Sequence, residues 1–452
     1  MLVLRIAALT CLSSTFMLAA DAWKAGVAKV DITPAEPIWL AGYGNRAKPS
    51  DGVLQKIYVK ALALEDETGK RSVLVTSDLV GFSRAMVDDI VTRAKAQYGI
   101  PRERLILNYS HNHSCPVTGD VLFIYYDLDP GQKEVVERYT RRLLDQVVGV
   151  IGASLQNLSP AQVSFEQGLA GFAVNRRRSR PGGRKLPGPV DHDVPVLEVR
   201  SPGGDLRTIV FGYSCHATSL SGYEINGDYA GFAQHELEAA YPGATALFVA
   251  GCGGDANPLP RVMGTTVPEA VALSRSYGQT LAMAVKLVLR GTMRPISGPL
   301  NAAWEAAEIP FQKAPSRDWL ISQKQGANPF RLRAIDYLVA ELDRKSRLPD
   351  RVPYPVQVWQ FGRSLTLIGL TGEPVVDYSL RFKNTYGWDN TWVAGYNNEL
   401  LSYIPSLRVL KEGGYEGTEG MAEYGLPAPY GYAVEEIIAQ KVDELVEATR
   451  QK

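Results

Sequence analysis

His111 and His113, separated by one residue, are the residues of this chain whose type and spacing most directly indicate chemistry. The chain has only five histidines in 452 residues, and this pair comes soon after the apolar run at residues 105–107. Alternate residues of an extended chain share a face, so both imidazoles are expected to point into one cleft. Imidazole is also the commonest protein ligand of zinc. The spacing therefore predicts a metal or active site at the end of a strand; the alternative is two exposed histidines that fall close together in a loop.

Two further residues have the same kind of position, just beyond an apolar strand. His216 follows the predicted strand at residues 208–214, and Glu373 follows the predicted strand at residues 356–370. A second imidazole and a carboxylate would complete a three-point metal site with His111. The alternative for each is a structural role, which for Glu373 is that of a solvated helix start.

The remaining histidines and the cysteines are expected to be structural. His192, between Asp191 and Asp193, precedes a strand and reads as a turn residue, and His235 lies on a helical face. No Cys-x-x-Cys pair occurs, so a zinc–thiolate site has little support. We expect small buried residues near strand ends, at least one of them a free thiol, at three positions: Cys115, Cys215 and Cys252.

The elements that must position these residues alternate between strand-like and helix-like patterns. This alternation predicts an α/β fold with a layered, mixed β-sheet core flanked by helices. Strands are predicted at residues 26–32, 57–65, 72–80, 105–109, 162–168, 194–199, 208–214, 244–250 and 356–370. Helices are predicted at residues 83–98, 132–155, 231–240, 268–289, 318–347 and 434–450. Several strands end where candidate residues begin, which is where open α/β sheets place their sites.

Composition indicates an ordinary globular protein with a large core. Apolar residues make up 45% and charged residues 21%, and 48 basic residues balance 48 acidic ones. The one basic block, at residues 176–180, is too short to form a nucleic-acid footprint, so no nucleic-acid partner is expected.

Residues 1–22 are expected to be a secretory signal peptide. One positive charge at Arg5 precedes an apolar stretch at residues 6–20, and small residues precede Trp23. The stretch is short for a bilayer span, and we expect no transmembrane segment in the mature chain; an uncleaved anchoring helix is the alternative. We therefore expect a secreted or periplasmic protein in which residues 23–452 form a single catalytic domain, with its site assembled from distant segments.

The candidate residues, in their order along the chain, resemble motifs of the neutral, non-lysosomal ceramidase family, and the resemblance covers nearly all of residues 23–452. The family's His-Thr-His-Ser-Gly-Pro is similar to His-Asn-His-Ser-Cys-Pro at residues 111–116. Its second zinc histidine, followed by Asp-x-x-Gly-Tyr-Ala, is similar to His216 followed by residues 228–233. Its Pro-Gly-Glu resembles the tripeptide that ends at Glu373. Ordered matches of this kind are far more specific together than any one is alone.

Three further segments extend the resemblance. The family's Gly-Leu-x-Asn-x-Tyr-x-x-Tyr is similar to residues 395–403, which end at Tyr403. Its Tyr-Glu-Gly-Ala-Ser is similar to residues 415–418, and its Asn-Arg pair to Asn175 and Arg176. The resemblance implies a ceramidase-like catalytic fold in a chain that ends about where the family continues into an immunoglobulin-like C-terminal domain.

The resemblance also implies roles for individual residues. A Zn²⁺ cofactor would be held by His111, His216, Glu373 and Tyr403, while His113 would face the substrate and Arg176 would reach it. The chain departs from the family at residues 254–259, where Asn257 stands in place of a serine. An amide can donate or accept hydrogen bonds but cannot act as an alkoxide nucleophile. The neighbouring Asp255 is expected to hold a histidine ring from outside the metal site.

Together these features predict a zinc-dependent amidohydrolase that cleaves the amide or ester bond of a small-molecule or lipid N-acyl substrate, with ceramide-like lipids included. Zinc would supply hydroxide near neutral pH. A two-metal hydrolase of the metallo-β-lactamase type would need Asp-His where Ser114 and Cys115 stand, and a barrel amidohydrolase would carry its His-x-His on the first strand. A catalytically inactive zinc-containing binding protein of the same fold is the remaining alternative. The true substrate, the oligomeric state and the role of residues 301–351 stay open; that segment is expected to form a lid or substrate wall.

Overall fold

The computed structural model describes residues 23–178, 188–262 and 268–451. The proposed signal peptide and part of the basic block therefore lie outside the described residues. Within them, the helices are α1 (Arg84–Tyr98), α2 (Pro130–Gln156), α3 (Asp228–Ala240), α4 (Pro268–Arg290), α5 (Arg317–Ser322), α6 (Pro329–Lys345), α7 (Val376–Tyr386), α8 (Leu407–Glu412) and α9 (Val434–Arg450).

The strands are β1 (Trp23–Asp31), β2 (Gly52–Val53), β3 (Tyr58–Glu65), β4 (Arg71–Ser77), β5 (Leu105–Tyr109), β6 (Ser159–Leu169), β7 (Ala173–Asn175), β8 (Asp193–Arg200), β9 (Leu206–Tyr213), β10 (Glu224–Ile225), β11 (Thr245–Ala250), β12 (Ala256–Pro258), β13 (Arg294–Pro295), β14 (Leu300–Pro310), β15 (Arg351–Phe361), β16 (Leu365–Thr371), β17 (Glu373–Pro374), β18 (Thr391–Asn397) and β19 (Tyr403–Ile404).

One large mixed sheet organises the molecule and confirms the predicted α/β class. Its strand order is β11-β9-β8-β6-β1-β3-β4-β5-β18-β16-β15-β14, with β13 paired to β6. The pairs β9–β11, β4–β5 and β16–β18 are parallel, whereas β1–β3, β3–β4 and β14–β15 are antiparallel. Strands β5 and β18 thus join the two halves of the sheet at its middle.

The sheet curls so that one of its faces packs against itself. Leu247 and Val249 of β11 lie in the same buried cluster as Trp392 and Ala394 of β18, although these strands are not neighbours in the sheet. Helices cover the outer faces: α1 to α4 pack on one cluster and α7 to α9 on another. The long apolar runs of the central strands follow from this arrangement, because both faces of those strands are buried.

Helix boundaries follow local capping chemistry. The Ser83 side chain accepts from the Met86 backbone N–H at the start of α1, and Asp129 forms a reciprocal capping box with Gln132 at the start of α2. Within the described part of the chain, no helix combines the length and the apolar character needed to cross a membrane.

Two predicted elements are divided in the structure. Residues 356–370 form the hairpin β15–β16, because Gly362 adopts a φ of +50° and the chain reverses there. Residues 318–347 form α5 and α6, because Gly326 has a φ of +76° and Asn328 caps a new helix. Strands β14 and β18 and helix α7 were not predicted.

Candidate active site and metal centre

The residues of the predicted metal site come together from four distant parts of the chain. His111 follows β5, His216 follows β9, and Glu373 and Tyr403 are paired residues of the short parallel strands β17 and β19. The register of β17 with β19 therefore fixes the carboxylate beside the phenol. His111 itself has a φ of +54°, which turns the backbone sharply at the end of β5.

The side-chain atoms converge on one oxygen of Glu373. Its Oε2 lies 3.1 Å from Nε2 of His111 and 3.0 Å from Nε2 of His216. The Tyr403 hydroxyl lies 3.4 Å from Nε2 of His216. Ring nitrogens of His111, His113 and His216 all lie within 4.8 Å of one another. Two imidazoles, a carboxylate and a phenol at these distances form a compact nitrogen and oxygen donor set.

Backbone carbonyls fix the orientation of the His111 and His216 imidazoles. Nδ1 of His111 lies 2.7 Å from the Val80 carbonyl oxygen, and Nδ1 of His216 lies 2.5 Å from the Gly253 carbonyl oxygen. An Nδ1–H that donates to a carbonyl leaves the Nε2 lone pair free, which is the tautomer that binds a metal ion. The residues present therefore fit a metal ion with nitrogen and oxygen ligands.

The electrostatics also suit metal binding. Burial alone would raise the pKa of Glu373, but its contacts with His111 and His216 outweigh burial and hold that pKa well below the ordinary value. Burial lowers the pKa of His216 to about 4, despite the hydrogen bond to Glu373 that opposes the shift. At neutral pH the site thus has an ionised carboxylate and a neutral imidazole at His216, the protonation states that ligands require.

His113 lies beside these candidate metal ligands and lines a cavity that opens onto the site. Its Nε2 lies 3.1 Å from Nε2 of His111, and its ring packs edge-on against Tyr43 with the centroids 4.8 Å apart. Its Nδ1 is buried with no hydrogen-bond partner among the described residues. Burial, reinforced by His111 and His216, holds the pKa of His113 well below the ordinary value.

Arg176 lies over the ring of Tyr403. Its guanidinium carbon is 5.3 Å from the Tyr403 ring centroid, and its Nε donates to Glu416 Oε1 at 2.5 Å. Its Nη2 is buried and has no hydrogen-bond partner within the described ranges. The structure thus places a cation with one unused donor next to the candidate metal site.

Asp255 differs from its expected role, because it contacts no histidine ring among the described residues. Its Oδ1 accepts from the Val376 backbone N–H at 2.9 Å, and its Oδ2 accepts from Asn175 Nδ2 at 2.8 Å. Its carbonyl oxygen also accepts from the Arg176 backbone N–H at 2.8 Å. Asp255 therefore ties the segment that carries Arg176 to the segment that follows Glu373. Burial raises its pKa to about 6.

Asn257 lies on β12, which pairs with β7 next to Arg176. It is buried, and its Oδ1 has no hydrogen-bond partner in the described part of the chain. Asn257 and Arg176 line the same open cavity of about 590 Å³. The structure therefore brings both residues to the site, although Asn257 does not lie among the metal-ligand candidates.

The other residues considered from sequence have structural contacts. His192 bonds the Ala173 carbonyl oxygen at 2.9 Å, and Asp191 and Asp193 form ion pairs with the buried Lys383. His235 is exposed on α3. The three cysteines are buried and free, as expected: Cys115, Cys215 and Cys252.

Several site residues were missed from sequence. The Tyr424 hydroxyl donates to Glu373 Oε1, and Glu416 pairs with both Arg176 and Arg177. Arg261 donates from Nη1 to the Thr218 carbonyl oxygen at 3.1 Å. These side chains lie in segments without a regular period. The one available signal was the match at residues 415–418, which drew attention to Glu416.

A cavity of about 280 Å³ opens onto the site and is lined by His113, His216, Tyr403 and Arg176. It shares Phe330, Tyr415 and Glu423 with a cavity of about 960 Å³ beneath α5 and α6, and shares Arg176, Arg261 and Tyr415 with the cavity of about 590 Å³. The site therefore adjoins both a larger chamber and a polar opening.

Comparison with known proteins identifies related sequences. The profile of the family described as "Neutral/alkaline non-lysosomal ceramidase, N-terminal" matches residues 23–266. The neutral ceramidase of Drosophila pseudoobscura pseudoobscura is 25% identical over 285 residues, which are 57% of this chain and 39% of that protein. The neutral ceramidase of Drosophila melanogaster is 24% identical over 290 residues, which are 58% of this chain and again 39% of the relative. The matched region thus spans about two fifths of these relatives.

Solved structures share the fold. The crystal structure of neutral ceramidase from Pseudomonas aeruginosa superposes with a TM-score of 0.74 at 20% identity, covering 95% of this chain and 75% of that one. A ceramidase complexed with C2 gives a TM-score of 0.73 at 18% identity, with the same coverages. At these identities the likeness establishes the architecture.

Proposed function

The chain belongs to the neutral/alkaline non-lysosomal ceramidase family, and we propose that it is a zinc-dependent hydrolase of an N-acyl substrate. The bond cleaved is an amide or ester, and a ceramide-like lipid is one candidate substrate, in line with the names of the relatives. The observation that carries the proposal is the approach of His111 and His216, through their Nε2 atoms, to one buried oxygen of Glu373.

Under this proposal the metal ligands are His111, His216, Glu373 and Tyr403. Imidazole nitrogens and carboxylate oxygens are usual zinc ligands. Catalytic zinc sites have three protein ligands and one open position, so Tyr403 would have to leave the zinc for water or substrate to bind there. When bound, zinc would lower the pKa of water to about 7 and polarise a carbonyl oxygen. The half-buried Tyr424, whose hydroxyl donates to the second oxygen of Glu373, holds the carboxylate in place.

His113 is the proton carrier of the proposed reaction. Its depressed pKa keeps the ring neutral at neutral pH, and its unpartnered Nδ1 leaves one nitrogen free for exchange. A neutral imidazole at this position accepts a proton as water attacks the acyl carbon and returns it to the leaving amine.

Arg176 binds the negative charge that develops on the acyl oxygen. The guanidinium is held by Glu416 and the ring of Tyr403, while Nη2 remains unused. A donor fixed in this way before the reaction contributes about 3 to 4 kcal/mol in comparable sites. Asn257 cannot supply a nucleophile, so water is the attacking group in this proposal.

The chamber beneath α5 and α6 is proposed to take the acyl chain. It has a volume of about 960 Å³, and its lining includes Trp319, Leu320, Ile335, Leu338 and Met421. This volume lies at the upper end of small-molecule pockets, and its largely apolar side chains suit an alkyl chain. Residues 301–351 accordingly form a substrate wall.

Hydrolysis by metal-depleted and zinc-reloaded protein tests the proposed function. N-acyl amides and the matching acyl esters are incubated with each form, and the fatty acid and the amine or alcohol are quantified. Equal amounts of the two products, formed only by the reloaded protein, are expected. Stoichiometric zinc without turnover of any amide or ester would favour the inactive binding protein instead.

Export is proposed from the sequence of residues 1–22. The family match begins at residue 23, directly after the proposed cleavage point, which supports the assignment. N-terminal sequencing of protein recovered from the periplasm or medium of an expressing bacterium should give Trp23 as the first residue. Retention of residues 1–22 in membrane fractions would indicate an uncleaved anchor.

A further inference from the structure

Arg261 is a cation at the candidate active site that the reaction described above does not use. It follows β12 and lines both the cavity of about 280 Å³ and that of about 590 Å³. Its Nη1 donates to the carbonyl oxygen of Thr218 at 3.1 Å and to Oγ1 of Thr218 at 2.9 Å. Because Thr218 lies two residues after His216, these bonds fix the guanidinium beside the metal-ligand candidates.

Arg261 differs from the other arginines of these cavities in its charge balance. Arg176 forms an ion pair with Glu416, and Arg177 forms ion pairs with Glu412 and Glu416. Arg261 forms an ion pair with no carboxylate among the described residues, and it is half-buried. Partial burial of an unbalanced charge is costly unless a ligand supplies the opposite charge.

Two residues that line the same cavity as Arg261 each have a buried polar atom without a described partner. Asn257 Oδ1 and Arg176 Nη2 are both buried and have no hydrogen-bond partner in the described ranges. The amide of Asn257 can present either its oxygen or its NH₂ group to a ligand, since the two are distinguished only by their partners. Arg261, which has no carboxylate partner among the described residues, thus lines the cavity beside Asn257, whose Oδ1 has no described partner.

A second arginine near the site, Arg46, also forms no ion pair with a carboxylate among the described residues. Arg46 is buried, donates to the carbonyl oxygens of Ala41 and Gly222, and stacks on Tyr43 with 4.9 Å between its guanidinium carbon and the ring centroid. Tyr43 lines the cavity of about 280 Å³. Arg46 therefore adds positive potential without contacting a ligand in the cavity.

We propose that the polar cavity binds a carboxylate on the amine side of the scissile amide, which makes the substrate an N-acyl amino acid. This inference rests on the proposed hydrolase function. Arg261 and the Asn257 amide offer N–H donors that suit a carboxylate, and the larger chamber that also adjoins the site takes the acyl chain. Water adds to the acyl carbon, the C–N bond breaks, the water protons pass to the nitrogen, and a fatty acid and an amino acid leave.

The test compares N-octanoylserine with N-octanoylserinol, which share the acyl chain and the amide and differ in a carboxylate against a hydroxymethyl group. The wild-type protein should favour the acid by about 10- to 100-fold in kcat/KM, the range for a hydrogen bond to a charged group. The Arg261→Gln variant should bring the ratio of the two kcat/KM values close to one. The matched control Arg290→Gln removes one exposed charge at the end of α4 and should keep the wild-type ratio.

Each other outcome separates this inference from the proposed function. Equal or better hydrolysis of the serinol amide by the wild-type protein would overturn the carboxylate site and leave the hydrolase standing. If neither amide is cleaved, the proposed hydrolase activity on these substrates is wrong. The carboxylate site is then tested separately, by measuring the binding of both compounds with calorimetry. The inference would be supported if the wild-type protein binds N-octanoylserine more tightly than N-octanoylserinol and if Arg261→Gln or Asn257→Leu reduces that difference. Equal binding of the two compounds would overturn it.

Discussion

At the residue scale, Asp255 connects the substrate-facing and metal-facing halves of the site through two hydrogen bonds, to Asn175 and to the Val376 N–H. Both partners of the Asp255 side chain are donors, whereas an asparagine side chain would have one acceptor oxygen and an NH₂ group that cannot accept. Asp255→Asn should therefore lower the free energy of unfolding by about 1 to 3 kcal/mol at pH 4, measured by urea denaturation. It should also lower kcat/KM, because Arg176 loses its fixed position. Unchanged stability and activity would remove Asp255 from the positioning network.

The raised pKa of Asp255 gives a specific pH dependence. Its value of about 6 lies above the ordinary 3.8, so folding favours the protonated form. The stabilising effect is complete below pH 4 and is lost as pH rises through 6; the shift corresponds to about 3 kcal/mol at most. The difference in free energy of unfolding between wild type and Asp255→Asn, both stripped of metal, should fall by up to that amount between pH 4 and 7. A difference that does not vary with pH would contradict the assignment.

Arg176 is predicted to act mainly in the transition state. Arg176→Gln should reduce kcat about 100- to 1000-fold, with a smaller change in KM, because the developing charge on the acyl oxygen loses its donor. Arg178→Gln is the matched control, since Arg178 pairs with Glu412 and does not line either cavity at the site. Steady-state kinetics on an N-acyl amide give kcat and KM for both variants. Equal losses of kcat in Arg176→Gln and Arg178→Gln would indicate a merely structural effect.

At the element scale, the loop after β1 shapes the surroundings of His113. Gly42 has a φ of +89°, and a Cβ there would come within 2.3 Å of His113 Cγ. Gly69, with a φ of +77°, has no atom within 4 Å of such a Cβ. Gly42→Ala and Gly69→Ala should each cost about 1 to 2 kcal/mol of stability through the left-handed backbone.

Only Gly42→Ala should strongly reduce hydrolysis, because it displaces the His113 ring while the metal ligands keep their places. Kinetics, thermal unfolding and metal content of the two variants distinguish these effects. Similar activity in both would show that the position of His113 is not critical.

The sequence predicted the site elements well where each candidate follows a buried strand. His111 and His216 close β5 and β9, whose apolar runs are continuous because both faces are buried. The pairing of Glu373 with Tyr403 was implied by the family resemblance alone, since a two-residue strand has no detectable period. The role of Asp255 was not predicted, because its partners Asn175 and Val376 lie about 80 and 121 residues away.

At the scale of the whole molecule, the curled sheet brings residues 111, 216, 373 and 403 to one place, and the α5–α6 segment covers it. The sequence predicted the α/β class but not the curl, which depends on contacts between strands such as β11 and β18. Residues 318–347 read as one helix because their apolar period continues across Gly326, whereas the left-handed turn there folds the segment back to form a chamber.

The chamber should set the preference for acyl-chain length. Ala327 lines it, and Ala327→Phe should reduce its volume and lower kcat/KM for long-chain relative to short-chain N-acyl amides by about 10-fold or more. Leu287→Phe, at an exposed position of α4, is the control for added aromatic surface. A chain-length profile unaffected by Ala327→Phe would place the acyl group elsewhere.

The metal content of the purified protein tests the central claim most directly. Wild type, His216→Ala, Glu373→Ala and the control His235→Ala, which alters an exposed histidine on α3, are dialysed and analysed by mass spectrometry for metals. The account predicts one zinc per chain in the wild type and the control, and loss of zinc in the other two. No stoichiometric metal in the wild type, or full retention in both site variants, would contradict it.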